Sequence, residues 1–284
     1  MAYNLIGKDF IPPDIHGKVT GKAKYAEDFR AEGMVFGKLL TSPVPHGRVT
    51  NIDASGALAM DGVLAVLTAD EVPPVPEPGV PFLTNEPLYV GAPILAVAAV
   101  DETTAEDAID AITYDLETLP FVMDPMESLF PGGPDARVGA NVVDNSFGGP
   151  PSMRNLKWSA QDFGAVEEGY QLPLGESVAE WSYGDLEAGF SSAALVMDET
   201  FVTASTAHHS MEPRSCMAYW QNGKCYMHVS SQSQSFVVPG LARMIGVEPE
   251  NLVLIAETCG GGFGSKGGPY PLMALPAFLS KKAG

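Results

Sequence analysis

Basic residues are scarce in this chain. Sixteen lysines and arginines stand against 35 aspartates and glutamates over 284 residues, a formal charge of −19. No segment concentrates the few that occur, so attraction to nucleic acid or to an anionic membrane surface is excluded as the main function. Cysteine is scarcer still. Cys216, Cys225 and Cys259 stand neither at C-x-x-C spacing nor near histidines at zinc-finger spacing. They cannot assemble an iron–sulfur cluster or a structural zinc site, and any such centre must sit on another chain. No apolar run reaches the roughly 18 residues of a membrane span. The N-terminus, Met1-Ala2-Tyr3-Asn4-Leu5, has no basic region leading into an apolar stretch, so no targeting signal is read and a cytoplasmic protein is expected.

What remains is an ordinary globular composition, 45% hydrophobic, with material for two medium domains. Residues 35–40 and 62–68 read as strands, the second so continuously apolar that burial on both faces is expected. Between them, residues 53–60 suit a short helix capped by Asp53. Five prolines in residues 71–81 permit only a loop. A further buried strand follows at 93–100, then a helix over 101–112 with Asp101 or Thr104 as its N-cap, then a strand at 111–116. From 124 to 174 the period is lost and Pro, Gly and Asn accumulate, as in an inter-domain connection. Strand patterns resume at 194–202, 215–220 and 224–229. A helix is predicted over 235–246, where Pro239 either moves the start to about Val238 or kinks it. A strand at 251–257 and an apolar helix at 271–282 close the chain. That helix, so soon after a loop built for a ligand, is expected to pack on further structure, as in a fragment, a split subunit or a processed chain. No internal repeat is visible.

The segment Cys259-Gly260-Gly261-Gly262-Phe263-Gly264-Ser265-Lys266 stands out. Glycines at this density give up side-chain packing for an unusual backbone path or for exposed N–H groups facing an anion. The pattern G-x-G-x-x-G occurs as Gly262-Phe263-Gly264-Ser265-Lys266-Gly267, but Pro269 and Pro271 forbid the helix that a dinucleotide fold begins there. A Walker loop is excluded because Ser265 stands where its last glycine must be. His208, His209 and Glu212 could ligate a metal at helical spacing; Pro213 argues against that helix and favours ordinary packing and hydrogen bonding. In the run from Ser230 to Ser235, Gln232 and the serines act either as caps and turn formers or to present the Gln232 amide at the mouth of a strand. In the second case the amide donates to a ligand held by the glycine loop. No base accompanies Cys259, so a buried structural thiol is expected there rather than a nucleophile.

In order along the chain these pieces resemble the molybdenum-cofactor (large) subunit of the xanthine dehydrogenase/aldehyde oxidase, or molybdenum hydroxylase, family, in its N-terminal portion. The runs Gly17-Lys18-Val19-Thr20-Gly21-Lys22-Ala23-Lys24-Tyr25, Ser42-Pro43-Val44-Pro45-His46-Gly47-Arg48 and Val90-Gly91-Ala92-Pro93 are similar to that family's a/b hammerhead domain. Gly184-Asp185-Leu186-Glu187-Ala188-Gly189-Phe190 and His209-Ser210-Met211-Glu212-Pro213-Arg214 resemble the entry to its cofactor region. Val229-Ser230-Ser231-Gln232 and Gly260-Gly261-Gly262-Phe263-Gly264 match its two molybdopterin motifs. The resemblance implies an α+β fold in three parts: a hammerhead domain over 14–124, a Pro/Gly-rich connection over 125–183, and the first part of a molybdopterin-binding aldehyde oxidase/xanthine dehydrogenase domain over 184–284.

It further implies a molybdenum-dependent oxidoreductase that oxidises an aldehyde or an N-heterocyclic aromatic, with water as the oxygen source. Gln232 would be the catalytic residue and would bind the molybdenum cofactor with Gly261, Gly262, Phe263 and Gly264. That cofactor is a molybdopterin, the cytosine dinucleotide form being one candidate. The metal would be held by the pterin, so no protein ligand to it is expected. Electrons would pass to [2Fe–2S] clusters on a small subunit and FAD on a medium subunit. The family's general-base glutamate would lie beyond Gly284, and a second polypeptide completing the molybdenum domain is one candidate partner. Purine-oxidising members carry a glutamate after the lysine of the glycine motif, whereas Gly267 follows Lys266 here, which speaks against a purine. Gly268-Pro269-Tyr270-Pro271 loosely resembles the continuation in carbon monoxide dehydrogenases, an alternative reading. A non-catalytic hammerhead scaffold chain is another, and a nicotinamide-dependent dehydrogenase a third.

Overall fold

The computed structural model describes residues 5–74, 80–135, 142–144, 152–163, 179–197, 199, 201 and 206–284. After a short helix α1 (Ile15–Val19) come strands β1 (Phe36–Thr41) and β2 (Gly47–Asp53), a single helical turn α2 (Ser55–Leu58), and β3 (Val63–Leu67). Strand β4 (Pro93–Ala99), helix α3 (Glu102–Asp110) and strand β5 (Thr113–Thr118) follow. The Asp101 carboxylate caps α3 by accepting from the Thr104 N–H at 2.7 Å, one of the two caps expected. Ala54 takes the cap position of α2, and Asp53 serves it by accepting from the Ser55 N–H.

β4 is the centre of an antiparallel sheet in the order β1-β4-β3. All seven of its residues are buried, so its two faces feed two different cores. Leu95 and Val97 join Val66, Ala108 and Ile112 on one side; Ala96 and Ala98 join Ala65 and Leu67 on the other. β3 is less enclosed than its apolar run predicts, since Leu64 is exposed. Strand β2 was not anticipated. It pairs antiparallel with β5, and its polar residues at Arg48, Thr50 and Asn51 hide the alternation of an edge strand.

In the connecting region the described elements are α4 (Pro125–Leu129), the small hairpin β6 (Val142–Asp144) with β7 (Ser152–Arg154), and α5 (Leu186–Ser192). Lys157 closes its first part by donating to the carbonyls of Ser128, Gly133 and Pro134. Phe130 and Phe163 stack, and the Trp158 ring meets both edge-on. The strand predicted at 194–202 does not form over its described residues 194–197. Exposed Leu195, Val196 and Met197 have no sheet beside them among the described residues, and an apolar run without a neighbour cannot become a strand. Its remainder lies largely outside the described residues.

The last quarter is a second sheet, β10-β9-β8. Strands β8 (Cys216–Gln221) and β9 (Lys224–Val229) form a hairpin whose turn residues Asn222 and Gly223 both take positive φ, as that turn type needs. Helix α6 (Gln234–Ile245) then crosses to β10 (Leu252–Ile255), which runs parallel to β9. α6 starts at Gln234, earlier than the start Pro239 suggested, because the Ser233 hydroxyl caps it and Val237, Leu241 and Ile245 bury one face. Gly246 ends it in the left-handed region at φ 73°.

Helix α7 (Pro271–Ala283) packs against β3 and β4 of the first sheet and β8 and β9 of the second. The expected support for this apolar helix thus comes from within the chain: Met273, Ala274, Leu275, Ala277 and Leu279 are buried in the core that contains Ala96, Ala98, Met227 and Leu241. Truncating Met273 to alanine is expected to cost about 2–5 kcal/mol, as for other buried large-to-small changes. It should weaken both sheets together. Amide exchange read separately in β4 and β9 checks this; protection retained in β4 but lost in β9 would show that the sheets do not share one core.

Candidate functional site

The parallel pairing of β9 and β10 places their carboxyl ends side by side, with His228 opposite Ile255 in the register. Ligands of open α/β units bind in this position, beyond the carboxyl ends of adjacent parallel strands. The Ser230–Gln232 segment leaves β9 there, and the glycine turn leaves β10 beside it. Gln232, Gly261, Gly262, Phe263 and Gly264 are therefore brought together although some 30 residues of chain separate the two segments.

Contact between them is direct. The Gln232 side-chain carbonyl accepts from the N–H groups of Gly264 at 3.1 Å and Lys266 at 3.3 Å. The Gln232 N–H donates to the Lys266 carbonyl at 3.1 Å. Two N–H donors at one amide atom identify that atom as the oxygen. This refines the expected role: the carbonyl half of the amide holds the loop, and only the NH2 half is left to donate outward. The close approach needs glycine, since a Cβ on Gly262 would lie 2.0 Å from Gln232 Oε1. Gly261 and Gly264 have φ of 102° and 101°, and Phe263, at 51°, shares the left-handed region that side chains avoid. Its ring is 73% exposed. Among the described residues, the N–H groups of Gly261, Gly262 and Phe263 donate to no protein acceptor.

Beneath the turn lies an ion pair. Lys266, 1% exposed, donates from Nζ to the Glu212 carbonyl at 2.7 Å and to its carboxylate at 3.0 Å. The same carboxylate oxygen accepts from the Gly260 N–H at 2.7 Å. Burial pushes the Glu212 carboxyl upward, but the Gly260 N–H and the Lys266 ammonium outweigh it and hold the group below its ordinary range. Glu212 is thus committed to Lys266 and Gly260 and is not placed as a metal ligand with His208 and His209. Among the described residues no three His, Cys, Asp or Glu side chains gather as a metal site. His208 Nε2 instead faces Gly264, 3.7 Å from where its Cβ would be. The 54 residues between Glu212 and Lys266 hide the pair from any local pattern. The one available hint was a lysine set among glycines with no acid nearby.

Cys259 is half-buried rather than buried, its thiol 3.6 Å from the Gly261 carbonyl. Burial raises Cys225 to about 11 and raises Cys216 as well, so neither supplies a thiolate near neutral pH. The Pro269–Pro271 continuation is spent on packing: the Tyr270 ring lies 4.8 Å from the Arg214 guanidinium, which also donates to the Ser265 carbonyl. An open hollow of about 830 Å³ lies at the Gln232 end, walled by Ser231, Ser233, Gln234, Ser235 and Ala256. A larger cleft of about 930 Å³, with Phe29, Val35, Met217 and Leu279 in its walls, contains no residue of the glycine turn and not Gln232.

Gly262→Ala is expected to expel the Gln232 side chain. Amide exchange at Gly264 and Lys266 should then rise at least tenfold, the equivalent of about 1.4 kcal/mol per factor of ten; unchanged exchange would mean that the turn does not depend on Gln232. Because the folded carboxyl of Glu212 is lowered, its contribution is complete above the ordinary glutamate value and is lost as pH falls through the lowered one. The stability difference between the protein and its Glu212→Gln variant should accordingly be level above about pH 5 and shrink at lower pH. Urea titrations along that pH series measure it, and a difference that stays level through pH 3 would contradict the assignment.

Two family profiles match the chain. One, described as the a/b hammerhead domain of aldehyde oxidase and xanthine dehydrogenase, matches residues 20–120; the other, a molybdopterin cofactor-binding domain, matches residues 172–284. The chain is 28% identical over 272 residues to the nicotinate dehydrogenase large molybdopterin subunit of Eubacterium barkeri, covering 93% of this chain and 56% of that protein. It is also 28% identical over 294 residues to the nicotine 6-hydroxylase large subunit of Paenarthrobacter nicotinovorans, covering 98% and 32%. The chain therefore spans about half and about a third of the lengths of these relatives. The fold matches that of quinoline 2-oxidoreductase from Pseudomonas putida 86 with a TM-score of 0.73 at 22% identity, over 97% of this chain and 33% of that one. With a hammerhead match, a cofactor-domain match and similarity along nearly the whole of this chain to parts of large molybdopterin subunits in agreement, the chain belongs to the xanthine dehydrogenase/aldehyde oxidase family of molybdenum hydroxylases.

Proposed function

We propose that this chain is the molybdopterin-binding part of a molybdenum hydroxylase that oxidises an aldehyde or an N-heterocyclic aromatic, with water as the oxygen source. The observation that carries the reading is the set of unspent donors at one place. The NH2 of Gln232 and the N–H groups of Gly261, Gly262 and Phe263 have no acceptor among the described residues, at a turn held open by its own backbone and by the Gln232 carbonyl. An array of this kind fits an anionic, oxygen-rich group such as a pterin phosphate or an oxygen ligand of a metal. The residues present therefore fit the cofactor. Gly261, Gly262, Phe263 and Gly264 would line it, and the NH2 of Gln232 would donate to it beside them.

When bound, that cofactor supplies the two-electron redox chemistry that no side chain offers. The protein's own part is to bind and orient. The loop N–H groups hold negative charge, and the fixed Gln232 amide places one donor where charge develops. The exposed Phe263 ring offers an apolar face from which water is excluded when a flat substrate or the cofactor covers it. Gly267 leaves no carboxylate after Lys266, in keeping with a substrate that needs no acidic partner at that point. Three separated cysteines hold no cluster, so electrons would leave to [2Fe–2S] and FAD carried by an iron–sulfur small subunit and a flavin medium subunit. That the relatives are large subunits supports such an assembly. We place it in the cytoplasm; no described helix is long and apolar enough to cross a membrane.

Gln232→Glu separates the two halves of the amide, because a carboxylate still accepts from Gly264 and Lys266 but has no NH2. Turnover of the protein purified with its accompanying chains should fall by about a hundredfold, the usual cost of one lost donor at a developing charge. Molybdenum and pterin content should stay near that of the unaltered protein. Equal turnover would remove the Gln232 donor from the reaction, and absence of molybdenum and pterin from the unaltered protein under molybdate-replete growth would overturn the function itself.

A further inference from the structure

The structure points to a second role for the glycine turn's last residue, one that rests on the reading of this turn as the cofactor site. We propose that Lys266 and Glu212 are positioning residues: a buried ion pair that ties the two ends of the turn together and so fixes the donors that hold the cofactor.

The geometry is a closed circuit. Lys266 meets Gln232 through both of its backbone groups, its N–H donating to the side-chain carbonyl at 3.3 Å and its carbonyl accepting from the Gln232 N–H at 3.1 Å. Its carbonyl also accepts from the Ser231 hydroxyl at 3.3 Å. Its side chain runs back under the turn to Glu212, and the Glu212 carboxylate closes the loop on the Gly260 N–H. The Glu212 N–H in turn donates to the Gly260 carbonyl at 3.1 Å. Five residues lie between Gly260 and Lys266, and one carboxylate oxygen holds both. The approach is tight enough that a Cβ on Gly260 would lie 2.4 Å from the Glu212 Cβ. Neither partner is available to solvent: the Lys266 side chain is 1% exposed and that of Glu212 8%. The three N–H groups without acceptors, at Gly261, Gly262 and Phe263, all lie inside this circuit.

A pair retained only for stability and a pair retained for position respond differently to neutralisation. Removing one partner strands a buried charge, whereas removing both charges together leaves a neutral core that packs nearly as well. Glu212→Gln keeps an oxygen for the Gly260 N–H but loses the charge; Lys266→Met keeps the length of the side chain but loses the bridge. Either alone should lower the unfolding temperature. The double variant Glu212→Gln/Lys266→Met should recover most of that loss, yet the bridge across the turn is still absent.

The test measures retention of molybdenum and pterin by the protein purified with its accompanying chains, during dialysis at 25 °C, together with amide exchange over 260–266. In the double variant the cofactor should leave at least tenfold faster than from the unaltered protein, and exchange across the turn should rise by a similar factor, although the unfolding temperature is largely restored. The same comparison remains readable if Lys266→Met alone does not fold. A double variant that keeps its cofactor with the unaltered half-life would overturn the positioning role and leave the cofactor reading standing. An unaltered protein with no cofactor to lose would overturn that reading, and this inference with it.

Discussion

Helix α7 is the part on which the two sheets close. It is apolar on most of its circumference, a pattern that requires burial on several sides, and the chain supplies those sides from distant places. The first sheet contributes β3 and β4, and the second contributes β8 and β9. β4 depends on it equally. A strand buried along its whole length must be covered on both faces; α2 and α3 cover one, and α7 covers the other. Hydrophobic burial thus couples residues near position 95 to residues near position 275, and neither region has a complete core without the other.

The same coupling fixes the glycine turn. A segment so poor in side chains has almost no packing energy of its own and takes its shape from what anchors it. Upstream it is anchored by β10 in parallel register with β9; downstream it is anchored by α7. Between these anchors the chain spends its polar contacts in a particular way. The Gln232 carbonyl takes the N–H groups of Gly264 and Lys266, and the Glu212 carboxylate takes that of Gly260. The N–H groups in the middle of the turn are left over. Preorganised donors are worth more than mobile ones because they need not reorganise when charge arrives, and strain at Phe263 is tolerated because its neighbours over-determine the backbone.

Much of this was legible in residue order. Periodic apolar runs marked β1, β3, β4, α3, β8, β9, β10 and α7, since burial demands those residues at those intervals whatever surrounds them. The acidic charge and the isolated cysteines limited the partners. The paired motifs around Gln232 and Gly262 carried the family resemblance, and the composition of such a glycine turn is dictated by backbone geometry rather than by packing. Where reading failed, a neighbour decided. β2 is polar and exists because β5 pairs with it. Residues 194–197 are apolar and form no strand because no strand among the described residues lies beside them. α6 begins at Gln234 because Ser233 caps it, overriding the expectation drawn from Pro239.

The sequence by itself determined most of the elements and the bare turn, which follow from spacing along the chain and from local backbone chemistry, and its motifs carried the family resemblance. Tertiary structure alone decided which way the Gln232 amide faces, that Glu212 serves Lys266 and Gly260 and not a metal, and that α7 completes the N-terminal sheet. Each of these is a contact between residues about 30 to more than 200 positions apart, and no local pattern encodes the partner of a residue whose neighbour in space is that far away in the chain.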